Sequence, residues 1–425
     1  MKYALLLLML ASVSPFGTLH QANAADAWPQ WRGPHRDGHL DGQRLPAAWP
    51  GMAPAPLWQS QVGLGYSSPV VAGGRVFVMG RDDAERQELC LCFDARSGRE
   101  LWRVSYGEQF VPPDASAGRG PSSTPTVDGD RVIMLGLGGM LHCLDAASGE
   151  VIWKHDCRRE YGGVARDADG GDAWFPPCGC ATSAIVDGAE VIVSVGGQKA
   201  GAFAGFDRAT GELRWHALDD RGSYGSPVIT TLAGVRQLIG FTGKRMVGLD
   251  ARTHELLWEH PFEAEFEQTA ITPVVWRDLV IFGGEKRPLL AVRVTREGET
   301  FTPEVAWKSV ELRPYITTPV VFGDQLIGLD ERRGRLVRID LESGKTFWAG
   351  EPLANYATLL IGGDQLLALA NDGVLHTYRI APQSIDQQAE WTVSDVGATI
   401  SHAAVADGRL YIKDKERLIC FELGR

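Results

Sequence analysis

Apolar positions along most of the chain fall in short runs, alternating or continuous, separated by turns of Gly, Asp and Ser. Ser68-Pro69-Val70-Val71 opens one such series and Gly73-Gly74-Arg75-Val76-Phe77-Val78 follows it. A third short run then ends at Asp94, the chain turns through Ser97-Gly98, and a fourth run carries Trp102. A period near two predicts strands, and no amphipathic stretch of ten residues interrupts the series to predict a helix. The unit recurs: Asp94, Asp145, Asp207, Asp250 and Asp340 each stand eight residues before Trp102, Trp153, Trp215, Trp258 and Trp348.

Degenerate copies complete a set of eight tryptophans, Trp58, Trp102, Trp153, Trp215, Trp258, Trp307, Trp348 and Trp391. Four-stranded units repeated around an axis form a β-propeller, because each twisted sheet buries both faces only against its neighbours. The last unit, from His402 to Arg425, has three runs and no tryptophan strand, whereas Pro56-Leu57-Trp58-Gln59-Ser60 is such a strand with no unit before it. Joining the two predicts an all-β fold, an eight-bladed β-propeller of four-stranded blades over residues 55–425, closed by an N-terminal strand that completes the last blade. Closure also removes an open sheet edge. The Asp is read as the end of the third strand, the Ser/Thr-Gly pair as the hairpin turn, and the eight tryptophans as anchors against the next blade.

The N-terminus changes the compartment. Lys2, an apolar run from Ala4 to Val13 and the small-residue site Ala22-Asn23-Ala24 predict a signal peptide over residues 1–24, hence a periplasmic or secreted protein with a leader at 25–54. No later stretch has the apolar length of a membrane span, and the first cysteine, Cys90, is far from the cleavage site, so a lipid anchor is not expected. With 53 acids against 42 bases and a net charge of −11, a nucleic-acid partner is also not expected. A monomer is.

In propellers the segments leading into the innermost strands crowd one mouth of the central channel, where ligands collect. Here they carry Tyr66, Arg119, Tyr224, Tyr315 and His402, and a long loop before the third full unit adds Trp174. These six are the candidate partner-binding residues; a solvated rim whose hydroxyls bond neighbouring backbone is the plainer alternative. Asp167, Asp169 and Asp172 in that loop hint at calcium, though Cys178 stands where a calcium loop has its last glutamate, and a solvated acidic turn is the other reading. Seven cysteines leave at least one thiol unpaired. Cys92, Cys143 and Cys420 lie two residues before the ends of third strands and read as buried fillers. His155, Cys157, Cys178 and Cys180 frame the loop. A disulfide from Cys157 to Cys178 or Cys180, a soft-metal site of those four residues, and free thiols all remain open.

The pattern Asp-x-x-(Ser/Thr)-Gly-x-x-x-Trp resembles the tryptophan-docking motif of pyrroloquinoline-quinone (PQQ)-type propellers over residues from about 55 to 425. The leader Asp26-Ala27-Trp28-Pro29-Gln30-Trp31-Arg32-Gly33-Pro34 resembles the opening of exported PQQ-like repeat proteins. That superfamily includes quinoprotein alcohol dehydrogenases and the cofactor-free outer-membrane assembly factor. Dehydrogenase members typically carry a vicinal Cys-Cys disulfide over the cofactor; no two cysteines are adjacent here, and no Cys-x-x-Cys-His haem motif or transferable catalytic aspartate is found. Hydrolase elbows, metal-binding His-Glu-x-x-His and phosphate loops are also missing from the sequence. The resemblance therefore implies an exported, non-catalytic platform for a protein or glycan, with no cofactor and no catalytic residue. The alternative is a PQQ- and calcium-dependent quinoprotein dehydrogenase oxidising alcohols or sugars.

Overall fold

The β-branched runs pair as antiparallel hairpins, each sheet covering its apolar faces against the next. A computed structural model describes residues 27–423 except 41, 44, 47, 109, 111–119, 163–175, 177, 198, 200, 266–267 and 397–399. It contains eight four-stranded antiparallel sheets arranged as the blades of a propeller. Blade one is Val70–Ala72, Arg75–Asp82, Gln87–Asp94 and Glu100–Gly107, from the channel outward. Blade eight is Ala404–Ala406, Arg409–Lys413 and Arg417–Glu422, completed by the N-terminal strand Trp58–Gln61. In that closure Trp58 stands opposite Cys420 and Gln61 opposite Arg417. Among the described residues one helical turn is present, Cys157–Glu160, capped by Asp156.

The third strands end at Asp94, Asp145, Asp207, Asp250 and Asp340. Each of these carboxylates accepts the amide three residues on, from Ser97, Ser148, Thr210, Thr253 and Ser343 at 2.8–2.9 Å, which bends the chain into the outer strand. At the turn glycine the backbone is left-handed, φ +71° at Gly98. A β-carbon on Gly98 would lie 2.5 Å from the Trp58 ring of the neighbouring blade; Gly149 meets Trp102, Gly211 meets Trp153 and Gly344 meets Trp307 in the same way. Those four indoles donate to the carbonyls of Ala95, Ala146, Arg208 and Leu341, each one residue beyond the turn's aspartate.

Trp391 faces a different problem. Blade eight has no such turn, since its outer strand comes from the other end of the chain. The leader replaces it: Trp391 donates to the Pro50 carbonyl at 2.8 Å and packs edge-on against Trp49, with 5.0 Å between ring centres.

The leader is woven into the ring. Trp28 exchanges two 2.8 Å backbone hydrogen bonds with Val71 of blade one, and the Val127 amide of blade two donates to the Pro29 carbonyl. Arg36 reaches the Ser183 and Ala184 carbonyls before blade three, both at 3.0 Å, and Arg32 the Pro319 carbonyl before blade six at 2.9 Å. Trp31 donates to Thr272 Oγ1 of blade five at 2.8 Å, and Leu40 bonds Ile361 of blade seven. These contacts carry the segment across the channel, and Trp28 and Arg32 are each only 1% exposed.

Candidate functional site

Each inner strand enters from a Ser/Thr-rich segment, and most of its hydroxyls are spent on the ring itself. Ser68 Oγ accepts the His402 amide, Thr124 Oγ1 that of Ser68, Ser183 Oγ that of Thr124, and Ser226 Oγ that of Ser183. Thr318 Oγ1 accepts the Thr272 amide at 3.0 Å. These bonds run from blade to blade and satisfy buried amides that the short inner strands leave unpaired. His402 occupies the equivalent place in blade eight. Its ring is buried and lies edge-on to Trp31, 4.5 Å between centres, so it faces the leader and not the mouth. Burial, and then the nearby Arg32 cation, hold its pKa well below the usual histidine value.

Above this layer the entry segments of blades three to seven carry a continuous polar arc. Tyr224 Oη accepts the Cys178 amide at 3.2 Å. The Tyr315 hydroxyl donates to Gln268 Oε1, and its ring meets Tyr356 edge-on at 6.3 Å. The segment is shaped by Glu331, whose carboxylate accepts the Tyr315, Ile316 and Thr317 amides at 3.1, 3.0 and 2.6 Å. Burial outweighs those three donors and raises this carboxyl to about 7. Burial likewise raises the phenols of Tyr224, Tyr315, Tyr356 and Tyr66 above their ordinary value. They are neutral hydrogen-bonding groups on half-buried rings, suited to backbone amides or sugar hydroxyls.

Of the six residues read from the sequence, Tyr224 and Tyr315 are thus brought together, with Tyr356, Gln268 and Glu331 beside them. Tyr66 stands apart in blade one, its amide donating to the Pro121 carbonyl at 2.9 Å. His402 lies beneath. Arg119, Trp174, Asp167, Asp169 and Asp172 lie outside the described residues. Gln268 and Tyr356 are signalled only by their places in segments before inner strands, and Glu331 escapes sequence reasoning because it belongs to no repeated position.

Of the four residues framing the long loop, Cys157 and Cys180 stay together while His155 and Cys178 lie elsewhere. His155 bonds the Gly211 carbonyl at 2.7 Å and Glu160 at 3.1 Å on the outer side of its blade. Cys157 and Cys180 are buried in one apolar cluster with Leu137, Leu141 and Tyr161, and Cys178 is half-exposed at the mouth. Cys157 and Cys180 are not joined in a disulfide, and burial raises both thiols. Among the described residues no group of three His, Cys, Asp or Glu side chains is placed to hold a metal ion, so the four-residue soft-metal set does not assemble. Nearby is a buried cluster not foreseen from the sequence. The Tyr106 hydroxyl donates to Glu88, Leu137 N–H donates to the same carboxylate at 3.0 Å, and Tyr106 packs on His142 at 4.6 Å.

The ring, its closure and the aspartate-to-tryptophan turns define a PQQ-like propeller. The chain belongs to the family described as outer membrane protein assembly factor BamB, whose model matches residues 85–350. It is similar to the outer membrane protein assembly factor BamB of Burkholderia pseudomallei (strain K96243), 27% identical over 214 residues. That match takes in 48% of this chain and 45% of the relative, so less than half of the relative's length is spanned. Among solved structures, BamB from Moraxella catarrhalis aligns with 76% of this chain and 99% of its own, at TM-score 0.51 and 15% identity. The quinohemoprotein alcohol dehydrogenase from Comamonas testosteroni aligns with 95% of this chain and 82% of its own, at TM-score 0.61 and 13% identity. At such identities both are likenesses of fold.

Proposed function

We propose that the protein is an exported, non-catalytic propeller of the cell envelope that binds protein partners in the assembly of outer-membrane proteins. The observation that carries this reading is the assembly-factor family match over residues 85–350, a span that includes Tyr224 and Tyr315. The site chemistry supports it. Neutral phenols and an amide side chain on a rigid rim offer hydrogen bonds and apolar area at little entropic cost, which suits an extended, unfolded β-strand with free backbone groups. Glu331, a half-buried carboxylate beside the arc, is engaged by three amides and serves to shape it.

The test is binding of a fluorescent peptide taken from an outer-membrane β-strand, measured alongside a soluble glycan of the envelope. Saturable peptide binding weakened about tenfold or more by Tyr315→Ala or Tyr224→Ala is the expected result. Glycan binding without peptide binding at the same residues would move the reading to a glycan platform. Dye-linked alcohol or sugar oxidation on addition of PQQ and calcium would replace it with the dehydrogenase.

A further inference from the structure

At the end of the channel away from the tyrosine arc lies a cavity of about 560 Å³ between the leader and the inner strands of blades three to six. Its walls include Val186, Ile229, Val275 and Val321, and the leader contributes Arg32 and Arg36. His35 and Asp37 are exposed at the same cavity, which places it within reach of solvent.

The two arginines are buried, Arg32 at 1% and Arg36 at 6% exposure. Among the described residues neither makes an ion pair. Arg32 Nη2 donates to the Asp37 and Pro319 carbonyls at 2.8 and 2.9 Å. Arg36 donates to the Ala184 and Ser183 carbonyls and to Gln30 Oε1. The Nε of each guanidinium has no acceptor. Asp187 in the wall is already held by Arg236 through two bonds of 2.5 and 2.6 Å, and Asp37 Oδ1 accepts the His39 amide at 2.9 Å. Three guanidinium groups therefore share the cavity with two carboxylates, leaving one cation in excess. A buried cation hydrogen-bonded only to neutral carbonyls is costly: desolvation lowers Arg36 to about 9, and lowers Arg32 to about 10 against the raising effect of the Asp37 charge. An anion entering the cavity relieves that cost.

We propose that this cavity binds a small organic monocarboxylate, its carboxylate drawn to Arg32 and Arg36 and its carbon skeleton packed on the valine and isoleucine walls. The excess cationic charge favours a carboxylate, the apolar walls disfavour an ion charged on every side, and the volume is that of small-molecule sites. The site is independent of the tyrosine arc and of the partner proposed for it.

Calorimetric titration of the full chain at constant ionic strength tests this with benzoate, neutral benzamide and inorganic phosphate as probes. Benzoate is expected to bind saturably and raise the thermal midpoint, with benzamide and phosphate at least about tenfold weaker. Thr230 lines the cavity and makes no bond to the leader, so Thr230→Glu adds a competing carboxylate while leaving the leader seated. It should weaken benzoate about tenfold or more, as should Arg36→Gln. Unchanged benzoate binding in Thr230→Glu, equal binding of benzamide, tighter binding of phosphate, or no saturable binding of benzoate each overturns the proposal.

Discussion

Opposite six of the outer-strand tryptophans, across the strand pair, stands a residue with a small side chain or none. Cys92 faces Trp102, Cys143 faces Trp153, Cys420 faces Trp58, Ala291 faces Trp307, and Gly205 and Gly248 face Trp215 and Trp258. Where the small residue is Cys or Ala, the indole reaches a carbonyl of the next blade. Where it is Gly, the ring lies back over its own sheet, and Trp215 and Trp258 donate to Glu190 and Gln237 there. The cysteines are thus size-matched fillers, fully buried. A β-carbon at Gly205 would collide with the Trp215 ring, whereas Gly107 has open space around it. Gly205→Ala is expected to cost about 1–3 kcal/mol in urea unfolding and Gly107→Ala about 0.5 kcal/mol or less. A second residue-scale expectation concerns Glu88, whose carboxyl is raised to about 7, first by burial and also by Glu108, against the lowering effects of Tyr106, the Leu137 amide and Arg81. The folded protein keeps this proton where the unfolded chain, at its ordinary 4.5, has lost it. The stabilisation is therefore complete below pH 4.5 and disappears as the pH rises through about 7. Relative to Glu88→Gln, the native chain should lose on the order of 3 kcal/mol across that window, read from urea unfolding at successive pH values. Parallel curves for the two proteins would show that Glu88 does not titrate there.

At the scale of elements, what could be read from the chain was what repeats. The spacing of aspartate and tryptophan marks the third strand, the turn and the outer strand, and these are where the structure has them; the unmatched strand at Trp58 and the three-stranded last unit imply the closure seen at Cys420. What does not repeat was not legible. The leader makes its contacts through isolated residues, a two-residue bridge at Val71 and side chains of Trp31, Arg32 and Arg36, with no period to announce them. His402 resembled a mouth residue because every other blade has a small hydroxyl at its position, and only the remote Trp31 turns it inward. The same logic makes Trp49 a substitute for the turn that blade eight lacks. A double-mutant cycle on Trp49→Ala and Trp391→Ala should give a coupling energy of about 1 kcal/mol, and additive effects would show the two rings to be independent.

For the whole molecule, closure comes from two devices: the strand exchange in blade eight and the leader that ties inner strands across the channel. Trp58→Ala should cost about 3 kcal/mol, since it removes a ring packed between the first and last blades. The leader also crosses the channel, with the tyrosine arc at one end and the arginine-lined cavity at the other. The central claim, a rigid rim that engages an unfolded outer-membrane strand without chemistry, is tested most directly by placing a photoreactive amino acid at Tyr315 in cells and irradiating. The account predicts discrete adducts with outer-membrane β-barrel chains or their assembly machinery, absent when the same group replaces the exposed Phe347 on the outer strand of blade six. Equal adducts from both positions, or none from Tyr315, would contradict it.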